Sequence, residues 1–343
     1  MVQTNITQTR ICVQKMPHTE RHEYNKIMQS SSSDKHAEKL KAAFQTKKIW
    51  PRDSKIRIAF TESGDNLSVT KPVNQNRKNI DPLQNDVQNM PVQKAIKKIV
   101  QERIIPLVNL DIAFIDNPAD ANVRISFDKV GAWSLLGTDH LSEKTNPTMN
   151  FEWVDVPTVI HEMGHMLGMI HEHQNPKGQN IDWNDKKVFE WAKETQGWDE
   201  KTTRENMIDK YDSNSINGSS FDPQSIMLYF FPADFTNNGI GTEENVRLSG
   251  LDVDWIHQMY PKDNGITPAA FYKEVYNSSI QSSIDTSERM AKKFSETGQL
   301  GGQLGQLGQL LYNLKPIIEN KYFILFIIGI FLLVGLLLWL SKK

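Results

Sequence analysis

Thr158 to Pro176 reads TVIHEMGHMLGMIHEHQNP and holds four of the chain's nine histidines within thirteen residues. His161 and His165 stand four apart in an apolar, helix-forming run. On a helix that spacing projects both imidazoles from one face, about one turn apart. Val159, Ile160, Met163, Met166 and Leu167 are left to pack the other sides into a core. Gly168 can end the helix, because glycine takes a positive φ without Cβ strain. The chain can then bend and return a third imidazole, His171, to the same point. Three neutral nitrogens around one ion leave the fourth tetrahedral position for water, the arrangement of a catalytic rather than a structural zinc. Glu162, next to the first donor, is placed to reach a zinc-activated water without ligating the ion, and so is the candidate general base. Histidines merely satisfied inside a core helix would not explain a glycine break timed to bring back a third one.

The rest of the chain sets bounds. Its 343 residues, 38% hydrophobic and 23% charged, suffice for one substantial globular domain with additional segments. A formal charge of −2 with mixed signs gives no case for nucleic acid, and there is no aromatic-and-basic RNA-binding pattern. Cys12 is the single cysteine, so no intrachain disulfide supports the fold, and it reads as an ordinary thiol. The N-terminal stretch lacks the apolar core of a secretory signal. Tyr322–Leu340, YFILFIIGIFLLVGLLLWL, carries no charge. As a helix it would span roughly 28 Å, close to a bilayer's hydrocarbon thickness. Tyr322 and Trp339 sit near its ends and Lys321, Lys342 and Lys343 flank it, as interfacial residues do. The expectation is a single-pass, C-terminal anchor of the tail-anchored kind in a lipid bilayer. Lysines on both sides leave its orientation open, and nothing names the membrane.

Patterning then divides the chain. Residues 1–47 read as a polar leader, disordered or a pro-segment. KIRIAF (Lys55–Phe60), LDIAFID, ANVRISF and PTMNFEW (Pro147–Trp153) read as strands. In ANVRISF, Val123, Ile125 and Phe127 point one way, and Asn122, Arg124 and Ser126 the other. Val92–Val108 places Val92, Ala95, Ile96, Ile99 and Val100 on one helical face. Asp155 is positioned to cap the histidine helix. Ser249, with Asp252 three residues on, is positioned to cap a last helix. Residues 262–320 read as a polar linker or stalk without obvious core, containing a Gly-Gln-Leu repeat at Gly298–Leu311. Residues 321–343 form the anchor and a short basic tail.

The string His161-Glu162-x-x-His165-x-x-Gly168-x-x-His171 resembles the metzincin zinc signature. Glu172, directly after it, narrows the resemblance to the astacins. SIMLY (Ser225–Tyr229) resembles the astacin Met-turn. The likeness runs from about Lys48 to Pro261, taking in GAWSLLGTD, TMNFEW and LSGLDVDWIHQMYP, and covers neither tail. It implies one catalytic zinc held by His161, His165 and His171, with Glu162 as base. It also implies Met227 as the turn methionine beneath the ion and Tyr229 as a metal-facing phenol that stabilises the oxyanion. Glu172 corresponds to a carboxylate that in processed astacins pairs with the N-terminus or its water network. The sequence departs from the pattern in three respects. Leu228 stands where the family usually has His, the disulfides of secreted members cannot form, and no propeptide aspartate motif is evident.

The resulting expectation is an α+β, metzincin-like zinc protease domain over residues 48–261. It has a twisted mixed sheet, an active-site helix and a small irregular C-terminal subdomain, and is followed by the stalk and one transmembrane helix. The expected activity is zinc-dependent endopeptidase action on a protein or peptide, bound as an extended strand against an edge strand near Pro147–Trp153. The divergent 175–225 region would set side-chain preference. Two other readings are a zinc-fold binding or envelope adhesion protein without turnover, which an intact Glu162 argues against, and hydrolysis of a non-peptide substrate. Among the remaining histidines, His173 reads as a loop residue beside the ligands, His140 as a solvated loop residue and His257 as structural.

Overall fold

The alternating run KIRIAF does form a strand, with Ile56 and Ile58 fully buried. In the computed structural model, which describes residues 12–15, 48–72, 80–176, 181–211, 221–263 and 265–292, this strand lies within one mixed sheet. Its members are β1 (Cys12–Lys15), β2 (Lys55–Phe60), β3 (Asp111–Phe114), β4 (Val123–Ser126), β5 (Ala132–Leu135) and β6 (Met149–Asn150). The spatial order is β1-β5-β6-β4-β2-β3. Among these strands only the β5–β6 pair is antiparallel.

Helix α1 (Leu83–Val87) and helix α2 (Val92–Ile99) connect β2 to β3. Val92, Ala95, Ile96 and Ile99 bury one face of α2, the i, i+3, i+4, i+7 stripe read from the sequence. The helix continues as a wider turn over Val100–Ile104 and a tighter one over Ile105–Leu107, where Pro106 has no N–H for the ladder. Arg103 forks onto Asp81 with Nε–Oδ2 at 2.8 Å and Nη2–Oδ1 at 2.7 Å, both residues being buried. A bidentate pair of this kind recovers part of the cost of removing two charges from water.

The histidine helix α3 (Val156–Met166) crosses the sheet's main core. Asp155 caps it by accepting from Thr158 N at 2.9 Å, a contact worth about 1 kcal/mol. Its last carbonyls are taken up from far away in sequence. Trp50 Nε1 donates to Met166 O at 2.7 Å, and Tyr260 Oη donates to Leu167 O at 2.6 Å. Helix α4 (Asp185–Gln196), which helix α5 (Glu200–Thr203) follows, belongs to a second, smaller apolar cluster that includes Val188, Trp191, Met207, Tyr229, Phe231 and Phe235. Helix α6 (Gly250–Met259) begins at Ser249 with both bonds of the capping box formed.

Three expectations need correcting. Pro147–Trp153 is not an edge, because β6 lies between β5 and β4; the edge on that side is β1 from the leader, which covers the outer side of β5. Alternation alone identifies a strand but not its place in the sheet order. The region after residue 262 does have core. Helix α7 (Pro268–Tyr276), capped by Thr267, buries Phe271, Tyr272 and Tyr276, and residues 280–292 are helical. Three aromatics in nine residues outweigh the polar average of the segment. Arg124, on the polar side of β4, is buried too, and its guanidinium donates to the carbonyls of Ala121, Glu143 and Asn146. His140 is not solvated but wholly buried, 3.3 Å from Ser134 Oγ, and burial depresses its pKa to about 3. The Gly-Gln-Leu repeat and the Tyr322–Leu340 span lie outside the described residues. Among the described residues no helix is long and apolar enough to cross a membrane.

Candidate active site

Helix α3 carries His161 and His165 one turn apart, with ring centroids 4.9 Å from each other. Gly168 takes φ +94°, a conformation nearly closed to residues with a β-carbon. The reversal it permits brings His171 back, so that its ring lies 4.5 Å from that of His165 and 5.4 Å from that of His161. One nitrogen from each of the three rings falls within 4.8 Å of the others.

The second nitrogen of each ring decides what the first can do. His161 Nδ1 lies 2.8 Å from Ile226 O, and His165 Nδ1 lies 2.8 Å from Met169 O. A carbonyl only accepts, so both Nδ1 atoms carry the proton. His171 Nδ1 lies 3.4 Å from Gln174 Oε1. The Gln174 amide nitrogen donates to Glu205 O at 2.8 Å and Asp209 O at 3.0 Å, which fixes the amide orientation. Each Nε2 therefore presents a lone pair. Those of His165 and His171 approach to 3.0 Å, and that of His161 has no hydrogen-bond partner among the described residues. Lone pairs converging without a proton between them repel unless a cation lies among them, so this donor set fits a zinc ion. Burial keeps all three rings neutral: it lowers His161 to about 4, and His165 and His171 to well below the usual histidine value.

Glu162 is fully buried on the same helix. Met227 lies 1% exposed under the site, and a β-carbon on Gly164 would come 2.6 Å from its sulfur. Tyr229 packs its ring 4.2 Å from that of His171 and 6.2 Å from that of His161. Glu172 ties the third histidine's loop to the Met-turn. Its N–H donates to Met227 O at 3.0 Å. Its Oε1 accepts from Asp222 N at 2.9 Å and Asn175 Nδ2 at 3.1 Å. Burial raises its pKa, although one edge of the residue reaches the surface, and the Asp222 N–H works against that shift.

The structure thus brings together His161, His165, His171, Glu162, Glu172, Met227 and Tyr229. His173 does lie beside the ligands: it is buried, with its ring 5.3 Å from that of His171 and 4.6 Å from that of Tyr229. Sequence reasoning gave no role to Gly164, Gln174, Asp222 or Ile226. Gly164 did leave a trace, since a mid-helix glycine costs about 1 kcal/mol against alanine and calls for a reason. The others act through backbone groups or across long sequence separations, which no spacing rule displays.

A mixed sheet backed by a helix with two histidines, a third returned by a glycine turn and a methionine beneath defines a metzincin-type zinc protease domain. The family model for the astacin peptidases matches residues 80–261. That is more than half of the chain, which belongs to the astacin family and is a zinc metalloendopeptidase acting on peptide substrates. A solved structure of myroilysin aligns with a TM-score of 0.51 and 30% identity, over 63% of this chain and 97% of that one. A crystal structure of myroilysin aligns with a TM-score of 0.47 and 26% identity, over 76% and 94% respectively. No curated protein matches the chain.

Proposed function

We propose that Glu162 is the general base of this endopeptidase, with His161, His165 and His171 as the zinc ligands and the whole tethered to a membrane through Tyr322–Leu340. Zinc, when bound, supplies a Lewis acid and brings a water's pKa towards neutrality. Glu162 accepts the proton of the attacking water on a carboxylate oxygen and later hands it to the leaving amine. The Tyr229 hydroxyl donates to the scissile carbonyl oxygen as that atom gains charge. Ile226, Met169 and Gln174 hold the three imidazoles in the tautomer that keeps Nε2 free. The peptide takes the place of β1 along the outer side of β5, pairing backbone to backbone.

The observation that carries this reading is the convergence of three unprotonated Nε2 atoms beside a buried Glu162. Glu162→Gln tests it. Turnover of a peptide library should fall about 10²- to 10⁴-fold, with stoichiometric zinc retained. Full turnover in the variant would remove Glu162 from the mechanism. The anchor reading rests on the uncharged apolar run Tyr322–Leu340 and its aromatic and lysine flanks. Carbonate-resistant membrane association that disappears on deleting 321–343 supports it, and protease protection of each end assigns the sides.

A further inference from the structure

Behind the site lie two carboxylates, Asp222 at 1% and Asp252 at 4% exposure. Neither forms an ion pair with any described residue. A carboxylate in such a place is costly unless donors surround it. Asp252 has three. Its Oδ1 accepts from Ser225 Oγ at 2.7 Å, and its Oδ2 accepts from Ile226 N at 2.8 Å and Ser249 N at 3.0 Å. The capping box explains only the last of these. The other two reach across to the Met-turn, 27 and 26 residues away in sequence.

Those two bonds lead to a ligand. Ile226, held through its N–H by Asp252, offers its carbonyl to His161 Nδ1. Ser225 Oγ, donating to Asp252, accepts from Met227 N at 3.1 Å. On the other side Ser249 Oγ donates to Asp222 Oδ2, and Asp222 N donates to Glu172 Oε1. Glu172 directly follows His171. A series of hydrogen bonds through the N-terminus of α6 therefore joins the first histidine to Glu172, the residue after the third.

We propose that Asp252 is a positioning residue of the metal centre. By clamping Ser225 and Ile226 it fixes the carbonyl that orients His161, and through Ser249 and Asp222 it ties that carbonyl to the loop bearing His171. This rests on His161, His165 and His171 being the zinc ligands. If the unmutated protein bound no zinc, that reading would fail; the outcomes below bear on Asp252 alone.

The test is the zinc affinity of the full-length protein, measured by chelator competition, for three variants. Asp252→Ala removes both acceptor oxygens and with them all three hydrogen bonds, and affinity should drop about 10- to 100-fold, as when an outer partner of a metal ligand is lost. Asp252→Asn keeps one carbonyl oxygen for the two backbone N–H groups and turns its amide towards Ser225 Oγ, so affinity should stay near that of the unmutated protein. Ile256→Ala deletes buried volume from the same helix and leaves every hydrogen bond of Asp252 in place, and should lower the melting temperature while leaving zinc affinity unchanged. In ¹⁵N-histidine-labelled, zinc-free protein, Asp252→Ala should also shift or broaden the His161 Nδ1–H resonance. Unmutated affinity in folded Asp252→Ala would overturn the proposal, and so would an equal loss in Ile256→Ala. If Asp252→Ala does not fold, Ser225→Ala takes its place. It removes only the hydroxyl link; a severalfold loss upholds the proposal and unchanged affinity overturns it.

Discussion

Gly164 lies directly against the sulfur of Met227: a β-carbon on the glycine would sit 2.6 Å from Sδ, and 3.4 Å from the sulfur of Met169. The fold needs a hydrogen atom at that point of α3 so that the Met-turn can rise beneath the histidines. Gly164→Ala must push Met227 or bend the helix. The cost should be about 1–3 kcal/mol, as for overpacking elsewhere, despite alanine's better helix propensity. Urea unfolding measures it. Met227→Ala in the same background should return part of the loss.

Tyr229 is buried beside His171 with its ring in the smaller apolar cluster. Tyr229→Phe keeps the packing and removes the hydroxyl. A donor used mainly on the charged transition state shows in kcat rather than KM. We expect kcat to fall about 10²-fold or more with KM nearly unchanged. An equal change in both would assign the hydroxyl to ground-state binding.

The leader's strand β1 pairs in parallel with β5, from Cys12 against Ala132 to Lys15 against Leu135. A peptide that adds to the outer side of β5 needs the same N–H and C=O groups. Removing residues 1–47 while keeping Lys48, whose ammonium pairs with buried Asp139, should therefore raise kcat/KM. The rise should vanish when the leader is supplied in trans at high concentration. Unchanged kcat/KM would place substrate elsewhere.

The buried acids give the zinc-free protein a pH dependence. Burial first, and then the charge of Asp222, raise Asp252 above the ordinary aspartate value; burial raises Asp222 as well. Glu172 and Tyr272 are the other titratable groups that feel Asp252. A carboxyl with a raised folded pKa holds protons that the unfolded chain has released. Stability accordingly falls as pH climbs from about 3.9, the unfolded aspartate value, through the raised folded value. Asp252→Asn should flatten that decline and be the more stable form at neutral pH. Urea titrations of chelator-treated protein between pH 4 and 8 measure both slopes.

The site was legible where its chemistry follows helical spacing. His161, His165, Glu162 and Gly168 lie within one helix and its stop, and the caps at Asp155 and Ser249 are local hydrogen bonds. Pieces set by distant partners were not legible. That β6 is interior depends on β5 pairing beyond it, the burial of Arg124 depends on three carbonyls up to 22 residues away, and His140 is enclosed by tertiary packing. Helix α7 was missed because a segment average hid Phe271, Tyr272 and Tyr276, which one face gathers against Arg247 and the core.

Trp50 and Tyr260 meet at the end of α3, with Trp50 N donating to Tyr260 Oη at 3.3 Å while each side chain holds one of the helix's last carbonyls. The opening and closing residues of the catalytic unit thus fasten the turn that delivers His171. During synthesis, a ribosome-bound chain that has not yet released Tyr260 lacks one of those fastenings. The nascent polypeptide gains that fastening only once translation has carried Tyr260, just past α6, clear of the exit tunnel.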